Sequence, residues 1–230
     1  MHIKVIAFDA DDTLWVNEPY FLKAENTFCK MMEEFMPQHS ISKELFATEI
    51  KNLTDYGYGV KSFMLSMIET AIEVSGGRME AKDIKKIISI GRELLHEPID
   101  VLEGVEEVLK ELCGKYRLVM ATKGDLLDQE RKLQKSGLAP YFHHTEIVSE
   151  KREQDYAKLV AHLDVNPDEF LMIGNSLKSD ILPVLEIGGY AFHIPYHTTW
   201  EHEVIDAQVK HPKFRTLEKI KEVLDYLPKQ

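Results

Sequence analysis

Residues 3–14 read IKVIAFDADDTL. Ile3 to Phe8 is a short, largely apolar run with β-branched residues, the composition of a strand covered on both faces of a parallel sheet. It breaks off at Asp9 into the polar cluster DADDT. Similar runs recur downstream at Arg117–Ala121 (RLVMA), Thr145–Val148, Phe170–Ile173 (FLMI) and Tyr190–Ile194. Between and after them, helical spacing of apolar residues predicts helices at Val105–Leu112, Asp125–Ser136, Gln154–Leu163 and Lys178–Glu186. A closing amphipathic helix is expected over Thr216–Leu227, ending at Pro228. Strands alternating with helices predict βαβ units, and so a doubly wound, Rossmann-like α/β core with a parallel sheet.

From Pro19 to about Leu95 the pattern changes. Pro19–Met36, Ser42–Leu53, Val60–Val74 and Ala81–Leu95 carry apolar residues at helical spacing, with no strand-like runs among them. Pro37, Gly57, Gly59 and the Gly76–Gly77 pair punctuate the segments. The expected organisation is a core made of residues 1–14 and 98–230, with an all-helical cap, residues 15–97, inserted after the first strand. The crossings near Trp15–Pro19 and Pro98–Gly104 are the expected hinges, letting the cap close over the cleft and exclude bulk water.

The 230 residues are 44% hydrophobic and 29% charged, enough to bury a core, and the formal net charge is -11. That charge opposes binding to nucleic acid or to an anionic membrane surface, while leaving room for a small anion in a local electropositive pocket. Cys29 and Cys113 both fall in apolar helical patterns and read as small core hydrophobes rather than a disulfide. The first residues, MHIKVIAFDA, have no signal-peptide layout, and no apolar run approaches the roughly 20 residues that span a bilayer. A soluble cytoplasmic protein is expected.

In a doubly wound sheet, ligands bind beyond the carboxyl ends of the strands. Asp9, Asp11, Asp12 and Thr13 follow the first strand, and Thr122, Lys123 and Gly124 follow the second. Lys151 comes soon after the third, and Gly174, Asn175, Ser176 and Asp180 follow the fourth. Carboxylates, a hydroxyl and lysines therefore converge on one edge from distant parts of the chain. A carboxylate attacks phosphorus when the phosphoryl charge is neutralised and the group is held in line. Magnesium prefers oxygen ligands and sits between carboxylates and phosphate. Asp9 can contact such an ion with one oxygen and attack with the other. Asp11 lies close enough to protonate a leaving oxygen and then to deprotonate water. Thr122, Lys123 and Lys151 are the candidates for holding phosphoryl oxygens. Asp12 suits a helix cap, and Thr13 the bracing of the nucleophile loop.

DADDTL (Asp9–Leu14) resembles the DxDxT motif of the haloacid dehalogenase-like hydrolases, most of which are phosphatases. Thr122 is similar to that family's second motif, Lys151 to its third, and GNSLKSD (Gly174–Asp180) to its fourth, in the same order along the whole chain. The helical insert resembles the subgroup with a helical cap. The resemblance implies Asp9 as nucleophile, Asp11 as general acid and base, and Thr122 and Lys151 as phosphate binders. It implies Mg2+ held by Asp9, the Asp11 carbonyl, Asn175 and Asp180. The expected substrate is a small phosphorylated metabolite, with the tail GNSLKSDILPVLEIGGYAFHIPY most similar to flavin mononucleotide and nucleotide phosphatases.

One departure is Asn175, where the family's motif has Asp. An amide oxygen still ligates magnesium but brings no formal charge, a shortfall that Asp180 is placed to offset. Arg152, beside Lys151 in the charged run EKREQD, competes for the phosphate-binding role. His193, His197 and His202 fit no zinc spacing and read as loop residues. Tyr56, Tyr58, Lys61 and Phe63 sit at a Gly-rich break in the cap and read first as packing. Rival functions are a 2-haloacid dehalogenase or phosphomutase on the same scaffold, and a non-catalytic phosphate-binding regulator. Asp11 counts against the dehalogenase, because halide departure needs no proton.

Overall fold

The computed structural model describes residues 2–206 and 208–228. A six-stranded, all-parallel sheet is built from β1 (Val5–Phe8), β2 (Arg117–Lys123), β3 (His144–Val148), β4 (Phe170–Gly174), β5 (Tyr190–His193) and β6 (Phe214–Thr216). The strand order is β3-β2-β1-β4-β5-β6, so the chain winds outward from β1 on one side and then from β4 on the other. That reversal places a topological switch point between β1 and β4, and in open α/β sheets ligands bind beyond the strands' carboxyl ends at such a point.

The alternation along β1 explains its apolar run. Ile6 and Phe8 face one core with Leu118, Met120, Leu171 and Ile173. Val5 and Ala7 face the other with Val119, Phe170 and Met172. All four β1 residues are fully buried. The first core is sealed by α5 (Val105–Leu112) and by Leu133 of α6 (Leu126–Ser136); the second by α7 (Glu153–His162) and α8 (Leu182–Glu186).

Two compact units are present. One comprises Met1–Glu18, Ile99–Lys123 and Gln129–Gln230; the other comprises Pro19–Pro98 with Gly124–Asp128. The second unit's helices are α1 (Glu18–Met31), α2 (Gln38–Tyr56), α3 (Val60–Val74) and α4 (Ala81–His96). They pack around their own centre, with Phe28, Met32, Ile41, Leu45, Met67 and Ile87 buried. In the first unit the chain leaves and returns side by side: Trp15 pairs antiparallel with Val101. Val16 N–H donates to the Asp100 carbonyl and Leu102 N–H to the Leu14 carbonyl, each at 2.9 Å. Among the described residues, no helix is long and apolar enough to cross a membrane.

Two expectations are corrected. Thr216–Leu227 is not one helix: Phe214–Thr216 pairs with β5 as a sixth strand, and helix resumes only at Ile220–Glu222 (3-10) and α9 (Val223–Tyr226). Pairing with the open edge of β5 gives this stretch its backbone partners, including Leu217 N–H to the His193 carbonyl, and Leu217, Ile220, Val223 and Leu227 still reach the core. Their near three-residue spacing suits either a tight turn or an α-helix, which misled the pattern. Cys113 is exposed rather than buried, because α5 ends there and the chain turns outward through Gly114 at φ 81°. Cys29 is buried as expected.

Because β1 and β4 are sealed on both faces, shortening Ile173 to Ala removes buried methylenes that neighbours cannot replace. Chemical denaturation is expected to show a loss of about 2–5 kcal/mol.

Candidate active site

Strand register brings the polar residues together. Phe8 is level with Met120 of β2 and with Ile173 of β4. Thr122 and Asn175, each two residues beyond, therefore come level with Ala10, between Asp9 and Asp11. Lys123 is level with Val148, so Lys151 enters from the β3 side.

The Lys151 ammonium forms the centre. It donates to Asp9 Oδ1 and, at 2.7 Å, to Asp180 Oδ1. The Lys151 and Asp180 side chains are only 3% and 1% exposed. Arg152 is exposed beside Glu150, so of the two adjacent cations only Lys151 enters the site. The second Asp180 oxygen accepts from Ser176 N–H at 3.0 Å. Asp180 gets this close because of Gly174, where a Cβ would fall 2.2 Å from Asp180 Oδ2. The turn after β4 is a wide π-type turn, Leu177–Ile181, with Ser176 Oγ accepting from Ser179 N–H at 3.0 Å.

Burial drives the Asp9 carboxyl up to about 7; Lys151 pulls it down and Asp180 pushes it further up. Burial also works against the Lys151 ammonium, but the charges of Asp180 and Asp9 outweigh it and hold Lys151 well above the ordinary lysine range.

On the far side of Asp9 lies a cluster of oxygens. The outer atom of the Asn175 amide stands 3.2 Å from Asp9 Oδ2, 3.1 Å from Thr13 Oγ1 and 3.3 Å from the Asp11 carbonyl oxygen. With its NH2 turned that way, Asn175 donates to all three; with its oxygen there, it accepts from Thr13. In the second orientation the Asn175 oxygen lies 3.2 Å from Asp9 Oδ2 and 3.3 Å from the Asp11 carbonyl oxygen. Neighbouring ligands of an octahedral ion with bonds of about 2.1 Å have that spacing, so the set fits a hard cation such as magnesium. It carries one carboxylate, and among the described residues no group of three or more His, Cys, Asp or Glu is placed to hold a metal. Asp180 accepts from Lys151 through Oδ1 and from Ser176 N–H through Oδ2.

Asp11 turns its side chain elsewhere. Its carboxylate accepts from Trp15 Nε1 (2.8 Å), Lys132 Nζ (2.9 Å) and Gln129 Nε2 (2.7 Å). Burial alone would raise its pKa, but Lys132 and these hydrogen bonds together hold it below the usual carboxylate value. Asp12, in the left-handed region at φ 60°, accepts from the N–H groups of Asn17 and Glu18 and so caps the entry to α1. Burial raises it to about 7.

Thr122 is buried at the end of β2. Lys123 does not present a free charge: its ammonium donates to Glu203 Oε1 at 2.6 Å and to Ser179 Oγ at 3.0 Å. Glu203, Lys132 and Gln129 escaped the sequence reading. Glu203 lay in a loop with no periodic signal, and the other two lay on a helix whose polar face reads as solvated. His193, His197 and His202 go separate ways. His193 donates to the Asn175 carbonyl at 2.9 Å, His197 stacks on Tyr196, and His202 lies against Lys178.

Residues 3–188 match the haloacid dehalogenase-like hydrolase family. The chain belongs to that family. It is 27% identical over 157 residues to N-acylneuraminate-9-phosphatase of Homo sapiens, covering 66% of this chain and 60% of that one. The match thus spans less than two thirds of that relative's length. It is 26% identical over 204 residues to pyrimidine 5'-nucleotidase YjjG of Escherichia coli (strain K12), covering 80% and 82% of the two chains. A haloacid dehalogenase-like hydrolase from Xanthomonas campestris superposes with a TM-score of 0.87 at 40% identity, over 96% of this chain and 88% of the other. The parallel α/β core read from the sequence is the fold of this family.

Two outcomes test the geometry. Gly174→Ala is expected to push Asp180 off Lys151, seen as lost thermal stability and lost binding of phosphate. Lys132→Met is expected to raise the Asp11 pKa, followed by carboxyl carbon NMR over a pH titration; an unchanged midpoint contradicts the arrangement.

Proposed function

We propose that the chain is a phosphatase that hydrolyses the monoester of a small phosphorylated metabolite, with Asp9 as nucleophile. The observation that carries this reading is the meeting, at the sheet's switch point, of a buried Asp9–Lys151–Asp180 group with the Asn175, Thr13 and Asp11-carbonyl oxygens. The two curated relatives above are both phosphate-releasing by name, which supports the class without fixing the substrate. The net charge of -11 favours a small diffusible substrate over nucleic acid or an anionic membrane.

Asp9 attacks phosphorus with one carboxylate oxygen while the ester P–O bond breaks, leaving an aspartyl phosphate. Lys151 holds Asp9 in place and lends positive charge to the phosphoryl oxygens, with the buried Thr122 beside them. The departing alkoxide takes a proton from Asp11. A water then gives its proton to Asp11, attacks the same phosphorus and frees both phosphate and Asp9. As seen here Asp11 is in its basic form, stabilised by Lys132, Gln129 and Trp15, which suits the second step. To carry the proton needed in the first step it must part from Lys132. Mg2+, held by Asp9, the Asp11 carbonyl and Asn175, would neutralise phosphoryl charge and favour the ionised form of Asp9. Asn175 makes that site one charge less anionic than an Asp would.

Turnover of p-nitrophenyl phosphate is expected to require added magnesium and to stop with a chelator. Asp9→Asn is expected to lower kcat by at least about a thousandfold. The melting temperature should hold or rise, since the substitution removes a costly buried charge beside Asp180. Metal-independent turnover, or full activity in Asp9→Asn, would overturn the reading.

A further inference from the structure

No step of the proposed chemistry uses Glu203, yet its carboxylate is bonded into the turn that carries Asp180. Oε2 accepts from Ser176 Oγ at 2.5 Å and from Ser179 Oγ at 2.6 Å, while Oε1 accepts from Lys123 at 2.6 Å. Against the cost of burial, Lys123 and these hydroxyls hold the carboxyl down at about 2, so it accepts as an anion. Hydrogen bonds to an ionised acceptor are the stronger kind.

The bonds continue inward without a break. Ser176 Oγ accepts from Ser179 N–H at 3.0 Å, and the Ser176 carbonyl accepts from Asp180 N–H at 2.9 Å. Ser176 N–H donates to Asp180 Oδ2 at 3.0 Å, and Lys151 holds the other Asp180 oxygen at 2.7 Å. Three contacts therefore lead from Glu203 to the buried ammonium: Glu203 to Ser176, Ser176 to Asp180, Asp180 to Lys151. The turn between them is of the wide π type, a rare form found mostly at functional sites, and Gly174 brings no side chain to confine Asp180. Tyr156 Oη steadies only the Ser179 carbonyl, at 3.0 Å.

The outside hold comes from one loop, residues 194–203. Where it leaves β5, His193 donates to the Asn175 carbonyl and Ile194 N–H to the Gly174 carbonyl, each at 2.9 Å. Where it returns, on the 3-10 turn Glu201–Glu203, Glu203 takes both serine hydroxyls and the His202 carbonyl accepts from Lys178 Nζ at 2.8 Å. Both ends of the loop thus grip the chain between Gly174 and Ser179. We propose, resting on the phosphatase reading, that Glu203 is a positioning residue that clamps the Ser176–Asp180 turn, so that Asp180 keeps Lys151, and through it Asp9, aligned for phosphoryl transfer. It acts through Ser176 and Ser179 and touches none of the reacting atoms.

The test is backbone hydrogen exchange, followed by NMR, beside p-nitrophenyl phosphate kinetics. The full chain carries Glu203→Ala, the pair Ser176→Ala and Ser179→Ala, or all three. Glu203→Ala is expected to speed exchange at Asp180 N–H by on the order of tenfold. It is expected to lower kcat by about tenfold with KM within about twofold, because misalignment of Lys151 and Asp9 is felt in the transition state. The serine pair should reproduce both changes and the triple variant add little, since all three act on one contact. A Glu203 that only fastens its own loop speeds exchange at 195–202 and leaves Asp180 protected, which overturns the proposal. So does faster exchange at Asp180 with wild-type kcat, or a serine pair that behaves as wild type. If Glu203→Ala does not fold, the serine pair decides alone by the same criteria. Absence of wild-type turnover counts against the phosphatase reading, while exchange at Asp180 still decides the clamp.

Discussion

A buried lysine holding two aspartates is the constraint on which this site rests. Lys151 comes from the β3 side, Asp9 from β1 and Asp180 from the turn after β4, so one ammonium group ties three separate segments into one surface. Removing Lys151 strands two carboxylates out of water, and breaking such a buried group from the cation's side typically costs about 3–5 kcal/mol. The chain accepts the burial because the sheet leaves little choice. Gly174 gives up its side chain so that the Asp180 carboxylate can lie against β4, and Ser176 N–H takes the oxygen that Lys151 does not.

The same solution repeats outward. Lys132 serves Asp11, and Lys123 serves Glu203, each beside further hydrogen-bond donors. Three buried or half-buried lysines thus have carboxylate partners on a chain whose overall charge is strongly negative. The carboxylates differ in how they are held. Burial, with Asp180 nearby, pushes Asp9 towards its neutral form, while Asp11 and Glu203 are held charged by their lysine and hydrogen-bond partners.

Much of this was legible in the sequence, for identifiable reasons. A strand sealed on both faces must be apolar throughout, so β1, β2 and β4 announced themselves, and the carboxyl-end rule then led to Asp9, Thr122, Lys151, Asn175 and Asp180. Residue identity alone did not reveal which charges are already spent. Nothing in the local pattern pairs Lys123 with Glu203, 80 positions along the chain. Asp11 reads as a free acid until Lys132 is seen 2.9 Å away. Periodicity failed where edge pairing competed with helix, as at Phe214–Thr216, and where a helix end turned Cys113 outward. Local pattern reports which face of an element is covered; it is silent about contacts made across long separations.

The ladder joining residues 14–16 to 100–102 has a consequence of another kind. Because outgoing and incoming chain already lie a hydrogen bond apart, everything between them hangs from a single doorway in the α/β body. Closing that doorway needs only a hairpin turn. The intervening helices can therefore be lost, lengthened or exchanged for other modules without disturbing the strand register of the sheet.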